Sequence, residues 1–478
     1  MAYNGRKVIS IAKKSEDITK DNIASILSDA YETHLSNQGE MDYLFNYYKG
    51  IQPIKNRTKK YNAEVNNKIV ENHANEIVSF KTGYLLMKPI QYVSRKESTD
   101  ISSLEKFNDF NHIESKEFKD KETAVNQSIC GTALRLVVQN ENYDKDDPDS
   151  CPFEIETIDP REGFVIYSSL HGKKPLIGVV IDTITTEDDE EKTLFQCYTK
   201  DKYYEFYQDS EDVIEENHTF GSIPLIEYPL NNERIGDFEL VIDLLDAINT
   251  IQSNRVDGVE QFIQALMVFE NVDVDSEEFQ KMKELGAIEI TSKGELKANV
   301  KYLTQELNQT QVQTLKNDMY EIVLKICGVP STSSANTSDS SNNGAIVLKN
   351  GWQNAETKAQ DTETFFKESE KKSLKLALTI SKILTGNAIN LSVADIDIKF
   401  TRRNYEDILT KKQVLLDMLN SGKVAPQLAF VVCGLFQDPE NAYEASKAYI
   451  EEQEKKAQEL AKMQQGEGKN NDDEDTTK

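Results

Sequence analysis

IEYPLNNERIGDFELVIDLLDAINTIQSNRVDGVEQF, from Ile226 to Phe262, changes its period part-way along. Its opening belongs to the run IPLIEYP, which is short, β-branched and aromatic and reads as a strand. From Gly236 the apolar positions fall at helical spacing instead. Phe238, Val241, Ile242, Leu245, Ile248, Ile251, Val256, Val259, Phe262 and Ile263 make one stripe. The spacing predicts a single helix of roughly 33 residues, well beyond the average globular length. A strand-rich region therefore ends here and a region of long helices begins.

Upstream, ALRLVVQN, FEIETI, FVIYSS, LIGVVIDTI, TLFQCYTK and YYEFYQD lie between Ala133 and Pro229, separated by turn clusters such as DKDDPDS and HGKKP. Their hairpin-like spacing favours antiparallel pairing. Before them, about Asp21 to Met87 reads as helical, with Asp21 as N-cap and with Ile69, His73, Ile77 and Phe80 on one face. Gly83 and Pro89 mark the exit from that helix, and the charged stretch to about Lys121 is read as helical too.

Downstream, VDVDSEEFQKMKELGAIEITSKGELKANVKYL reads as a small helix and two short strands, and a second long helix spans Gln309 to Cys327, stopped by Gly328 and Pro330. A run of serine, threonine and asparagine follows. Gly344 to Leu384 then reads as one helix, about 60 Å long at 1.5 Å per residue. Its seam is Leu348, Trp352, Ala355, Ala359, Thr362, Phe366, Ser369, Ser373, Leu376, Ile380 and Ile383. Core packing is the favoured reading of that seam, with Trp352 as an anchor. DIDIKFTRR reads as a strand, Glu406 to Met463 as helical, and QQGEGKNNDDEDTTK as a disordered acidic tail. The fold class expected is α+β.

The 478 residues carry 82 acids against 55 bases, a formal charge of −27, with no sustained basic run. That argues against tight grip on duplex nucleic acid or an anionic membrane surface, but not against contact with DNA that must keep moving. Five scattered cysteines without a CxxC pair suggest free thiols, with no disulfide framework and no zinc site. No signal peptide or membrane span is read. P-loop, HExxH, GxSxG and GxGxxG patterns are absent, and no cofactor is expected. His73 is read as a packed or partly exposed side chain. Asp243 with Asp246, and Asp257 with Glu260, share helix faces and are read as solvated acids rather than a metal site. Arg402 and Arg403 are read as surface cations or partners of a neighbouring chain.

Four stretches, in order, resemble the portal proteins, or head-to-tail connectors, of long-tailed bacteriophages. They are NNKIVENHANEIVSFKTGYLLMKPIQY (Asn66–Tyr92), the opening stretch, the helix ending KICGVP with NNGAIVLKN after the polar run, and DIDIKFTRRNYEDILTKKQVLLDMLNSGKVAPQLAF. The resemblance implies a non-enzymatic subunit of a dodecameric ring at one capsid vertex of the virion, assembled in the host cytoplasm. It implies a channel for double-stranded DNA. The implied partners are the terminase large subunit, major capsid and scaffolding proteins, and a head-completion adaptor. It divides the chain into a wing (1–235), stem helices (236–268 and 307–330), a clip (269–306), a tunnel loop (331–343), a long helix with a returning wing strand (344–403), a helical crown (404–463) and the tail (464–478). The alternatives are a carboxylate- and Mg²⁺-dependent nucleic-acid enzyme, or a protein-only scaffold or adaptor.

In the implied loop, Ser333, Ser334, Asn336, Thr337, Ser338, Ser340, Ser341, Asn342 and Asn343 offer exchangeable hydrogen bonds to phosphates, and Lys349 lies just beyond. Ordering Ser331 to Asn343 would cost on the order of 13–26 kcal/mol with almost no apolar burial in return. The expectation is a loop held only by neighbours or DNA.

Overall fold

Alternating β-branched and aromatic residues make the strands, and the helical stripes flanking them make the helices. The structure, a computed structural model, describes residues 5–469 apart from 61–62, 97, 186–190, 209, 211, 264–265, 271–298, 304–308, 332–350, 403–407 and 437–438. In chain order the elements begin β1 (Ser10–Ile11), α1 (Lys20–Tyr48), α2 (His73–Leu85), β2 (Gln91–Ser94), α3 (Ile101–Ile113) and α4 (Lys116–Cys130). Eight strands follow: β3 (Thr132–Gln139), β4 (Phe153–Ile158), β5 (Gly163–Ser168), β6 (Pro175–Thr185), β7 (Glu191–Tyr198), β8 (Lys202–Tyr207), β9 (Ile214–Asn217) and β10 (Leu225–Pro229). Then come α5 (Ile242–Ile263), β11 (Leu266–Glu270), β12 (Asn299–Leu303), α6 (Gln309–Cys327), α7 (Trp352–Leu384) and β13 (Ile396–Lys399). The chain closes with α8 (Ile408–Asn420), α9 (Pro426–Cys433) and α10 (Pro439–Lys469). Strands run together with helices on either side in sequence, the α+β arrangement. One unit comprises Met1–Ser331 with Asn354–Phe400, and the other Thr332–Gln353 with Thr401–Lys478.

In the first unit, a six-stranded sheet has the order β1-β5-β6-β7-β8-β9, and a three-stranded sheet the order β10-β3-β4. Pairing is antiparallel throughout these sheets except between β1 and β5. The sheets meet through Leu134, Leu136, Val165, Val180 and Leu225. Helix α1 packs on the larger sheet through Ile23, Ile26 and Leu27 against Phe164, Ile177 and Phe195. A second core joins α1, α2, α5 and α6, and a third joins α3, α4 and the small sheet to α7 and the β2–β13 pair. Strand β13 returns to β2 with Ile398 opposite Tyr92.

The strand-to-helix switch of the opening stretch is fixed by close backbone approaches. Leu230 N–H donates to Gly131 O at 2.9 Å, and Asp237 N–H to Ser128 O at 2.8 Å. A Cβ on Gly131 (φ +79) would lie 2.1 Å from Arg234 O, and one on Gly236 would lie 2.3 Å from Ile129 O. Only glycine fits either place.

Several expectations change. Helix α1 is capped by Thr19, whose backbone N–H donates to Asn22 Oδ1 at 3.0 Å; Asp21 sits inside the first turn, where its charge suits the helix dipole. Gly83 lies within α2 rather than at its exit. Ile69 is not on that helix, because residues 66–72 form no regular element and bond instead to α5. Helix α5 is shorter than its apolar stripe: it starts after a 3₁₀ turn at Glu239–Val241 and stops at Ile263, since LMVFE pairs with NVKYL as β11 and β12. Cross-strand pairing outweighs the helical period there. The stripe is buried from Phe238 to Ile248 but open at Val259. Of the expected small helix and two strands in the next segment, the second strand is β12; the rest lies outside the described residues.

The α7 seam is largely an intramolecular core. Ala355, Ala359, Phe366, Ser369, Ser373, Leu376 and Ile380 are buried, Trp352 is half-buried, and Ile383 is exposed. In the second unit, Phe430 stacks on Phe436 (5.1 Å) and meets Tyr443 edge-on (5.8 Å). Helix α10 runs to Lys469, past the expected end at Met463, and the rest of the expected acidic tail lies outside the described residues. All five cysteines are buried and unbridged.

Candidate functional site at the base of the polar segment

The polar segment leaves the fold from α6 and rejoins it at α7. Helix α6 ends on Gly328 in the left-handed region (φ +74), and Val329 N–H closes the cap onto Leu324 O at 2.9 Å. Lys81 Nζ donates to Cys327 O (3.3 Å) and pairs with Asp237 (3.2 Å), placing a cation at the negative end of the helix. The first turns of α7 lie against this cap. Asn354 Nδ2 donates to Lys325 O at 2.9 Å, and a Cβ on Gly328 would come within 2.8 Å of Lys358 Cγ. The last turn of α6 and the first turns of α7, which flank the polar segment in sequence, are therefore anchored to each other. Beside them is a cleft of about 410 Å³ lined by Leu240, Ile326, Lys358 and Phe365, among others. The sequence-predicted contacts Ser333, Ser334, Asn336, Thr337, Ser338, Ser340, Ser341, Asn342, Asn343 and Lys349 lie outside the described residues.

The helices that carry this point are braced by charge. His73 sits between Glu71 (3.1 Å) and Glu76 (2.7 Å), with its ring 4.4 Å from that of Tyr320 on α6. Burial pulls the imidazole down, but hydrogen bonds and charge from Glu71 and Glu76 outweigh it and raise the pKa to about 9. Lys316 pairs with Glu71 at 2.6 Å, and Tyr320 Oη donates to Glu76 at 2.7 Å. The packed reading of His73 holds, with a charge that spacing did not reveal.

The solvated reading of the acidic pairs is overturned at two positions. Asp257 is buried, accepts from Asn67 N–H (2.7 Å) and Nδ2 (2.9 Å), and pairs with Lys59 (2.5 Å) and Arg57 (3.3 Å). Asp246 accepts from Tyr47 Oη at 2.9 Å, and burial raises its carboxyl. Glu260 accepts from Asn67 Nδ2 at 2.8 Å, while Asp243 is exposed. Three of the four carboxylates thus hold the chain together. Of the arginine pair, Arg402 is half-buried and Arg403 lies outside the described residues.

A larger constellation escaped the sequence reading. Arg135 on β3, fully buried, donates to Glu370 (3.0 Å) and Tyr228 (3.1 Å) through Nη1, and to Asp120 (2.8 Å) and Thr123 (2.9 Å) through Nη2. Lys116 bonds Asp120 at 2.7 Å and Glu370 at 2.9 Å, and Tyr92 Oη also donates to Glu370. Two cations balance two anions. Burial would raise the Glu370 carboxyl, but Lys116 and Arg135 hold it well below the usual range. The network ties α4, β2, β3 and β10 to α7. The one signal for it was a lone arginine inside the apolar run ALRLVV. A second buried arginine, Arg6, donates to Glu239 and to Cys130 O, holding the N-terminal segment to the turn before α5.

A family model described as phage portal protein, SPP1 Gp6-like, matches residues 29–465. The chain belongs to the phage portal protein family. The match starts inside α1 and ends inside α10, so this portal-family chain carries it across both units. The portal protein of Clostridium phage phiCD119 is 24% identical over 386 residues, covering 73% of this chain and 81% of its own. A chain in the solved neck of an empty GTA particle is similar over 76% of this portal-family chain and 90% of its own, at 10% identity and a TM-score of 0.43. No helix among the described residues is long and apolar enough to cross a membrane.

Proposed function

We propose that the chain is the subunit of a closed ring, a dodecamer, at one capsid vertex, through which double-stranded DNA enters and leaves the head. The observation that carries this reading is the portal-family match over residues 29–465. In it, α5 and α6 are stem helices, residues 269–306 the clip, residues 1–235 the wing with α7 and β13 returning to it, and α8–α10 the crown. The ring docks the terminase large subunit during packaging and a head-completion adaptor afterwards, among major capsid and scaffolding proteins. Having no nucleotide-binding motif, it takes the driving energy from its partner.

The charge supports a sliding contact. At −27 per copy, a channel wall repels a polyanion at close range, within a Debye length of about 8 Å. The segment 331–343 contains no lysine or arginine and one acid, Asp339. Its hydroxyls and amides form the light contact with DNA, with Lys349 beside it.

Electron microscopy of purified protein tests the ring: class averages with a central hole are expected, and a stable monomer at high concentration overturns it. Photo-cross-linking from Ser333 to Asn343 tests the channel. Label transferred to packaged DNA supports it; assembled rings that never label DNA favour a protein-only scaffold.

A further inference from the structure

Helix α7 buries one side in the core through Leu374, Leu376, Ala377, Leu378 and Ile380. Its opposite side is basic. From Lys371 to Ala394 the chain carries four lysines and no acid, in a protein of net charge −27. At 3.6 residues per turn, Lys371, Lys372 and Lys375 fall within about 100° of arc on one exposed face. One turn earlier, Lys367 is answered by Glu363 at 2.6 Å. None of the three later lysines has an ion pair among the described residues, although Glu368 stands one turn before Lys372.

Ordinary roles within the fold do not account for them. A cation favours a helix C-terminus through the dipole, but that effect fades within the last turn. Lys382 sits there, whereas Lys375 lies about 13 Å before the end at Leu384. Lys371 and Lys375 form a like-charge pair at i and i+4, which weakens a helix unless an anion answers it. The acid-rich loop Asp144–Asp149 approaches beyond the end of α7, where Lys145 Nζ lies 3.4 Å from a Cβ built on Gly386. Tryptophan, tyrosine and arginine, the usual anchors of protein partners, are absent from this face; Thr379 continues it half-buried, and Ile383 is exposed further along. Lysine is a point charge that suits phosphate oxygens. Charge elsewhere on the chain is screened beyond about 8 Å, so the net −27 does not decide what this face attracts.

We propose that Lys371, Lys372 and Lys375 bind the phosphate backbone of duplex DNA, as a second contact distinct from the polar segment 331–343. The contact at the polar segment is light and indifferent to salt. The contact on α7 is electrostatic, and phosphate contacts carry no sequence preference of their own. The inference rests on the reading of the chain as a subunit that meets DNA, and it adds a charged hold to a surface otherwise suited to sliding.

Salt dependence tests it in assembled full-length protein. The probe is a short fluorescent DNA duplex of mixed sequence, titrated between about 50 and 200 mM salt. Three phosphate contacts give log K against log[salt] a slope of about −2.7, which is about a 40-fold loss of affinity over that range. Lys371→Gln, Lys372→Gln and Lys375→Gln together should remove that part of the slope and weaken binding most at low salt. Arginine at the same three positions should keep both. The side chains are exposed, so mass photometry should show rings as in the parent. Rings of the glutamine variant with the parent's affinity and slope overturn the contact and leave the channel reading intact, because photo-cross-linking from Ser333 to Asn343 reports that separately. A glutamine variant that no longer forms rings assigns the lysines to an acidic face of a second copy, and overturns the contact too. Parent rings that bind no duplex at about 50 mM salt overturn it as well.

Discussion

The backbone N–H of Asn67 donates to Asp257 Oδ1 at 2.7 Å, and the contact recurs two residues further along the 66–72 segment and four residues back along α5. Ile69 N–H donates to Ser253 Oγ at 3.0 Å, and Glu71 N–H to Asn249 Oδ1 at 2.8 Å. Two residues of extended chain rise about 6.6 Å, and four residues of α-helix rise about 6 Å. The spacings agree closely enough for alternate amides of an extended strap to meet successive turns of α5. The strap thereby satisfies its backbone without a sheet.

Asp257 is the most heavily used rung. Asp257→Ala would leave the Asn67 amide without its acceptor and Lys59 and Arg57 without their anion, costing about 2–4 kcal/mol. Hydrogen exchange should quicken at Asn67, Ile69 and Glu71 while the buried face of α5 from Val241 to Ile248 stays protected. Uniform loss of protection across α5 would assign Asp257 to the helix rather than the strap.

His73 predicts an alkaline limb. Its folded pKa of about 9 lies above the unfolded value near 6.5, so its contribution is complete below pH 6.5 and disappears as pH rises through 9. Urea unfolding of the native chain between pH 6.5 and 9.5 should show a decline of about 1–3 kcal/mol that His73→Gln lacks. Parallel profiles for the two proteins would remove the charged pair with Glu71 and Glu76.

Glu370 behaves in the opposite sense. Its folded pKa is depressed, so its contribution is present above the unfolded carboxylate value near 4.3 and lost as pH falls through the folded one. Glu370→Gln leaves Arg135 and Lys116 buried with one fewer anion and should cost about 3–5 kcal/mol at pH 7. Its effect should shrink below pH 4. A penalty that persists undiminished at pH 3 would show that packing, not charge, holds α7 to the sheet.

What was legible in the sequence followed from local signals. Helix α6 was bounded correctly because Gly328 and Pro330 stop it, and the α7 seam was found because Ala355, Phe366 and Ser373 repeat at helical spacing. Spacing puts Ser369 in the seam, yet its hydroxyl donates to Glu227 O at 2.7 Å, a contact no spacing announces. Glu370 lies 235 residues from Arg135 in sequence, and the course of 66–72 is decided by side chains on α5. Strand β11 depends on pairing with β12 across a long intervening segment. In each of these cases a long-range partner overrides a local preference.

Glycine substitutions probe the strand-to-helix switch. Gly131→Ala and Gly236→Ala each drive a methyl into a backbone carbonyl, which cannot move as a side-chain tip can, and each should cost about 3 kcal/mol or more. Gly172→Ala is the control: its φ of +97 is unfavourable, but the added methyl meets nothing within 4 Å. It should cost about 1–2 kcal/mol. Thermal melts of the three variants giving equal losses would mean that backbone conformation alone, rather than the close approach, makes this junction glycine-dependent.

Removing Ser333 to Ser341 separates the anchor from the contact. The bonds that fix the segment's ends, from Val329 to Leu324, Asn354 to Lys325 and Lys81 to Cys327, all lie outside the deletion. Ring assembly should therefore match the parent by mass photometry. Packaged DNA per head, or its retention after packaging, should fall several-fold. The deleted residues carry no lysine or arginine, so few counterions are displaced by their contact, and the defect should change little with salt. Lys349→Ala, which removes a cation next to the segment, should instead show a defect that weakens as salt rises. Normal packaging by the trimmed chain would reduce 331–343 to a connection between α6 and α7.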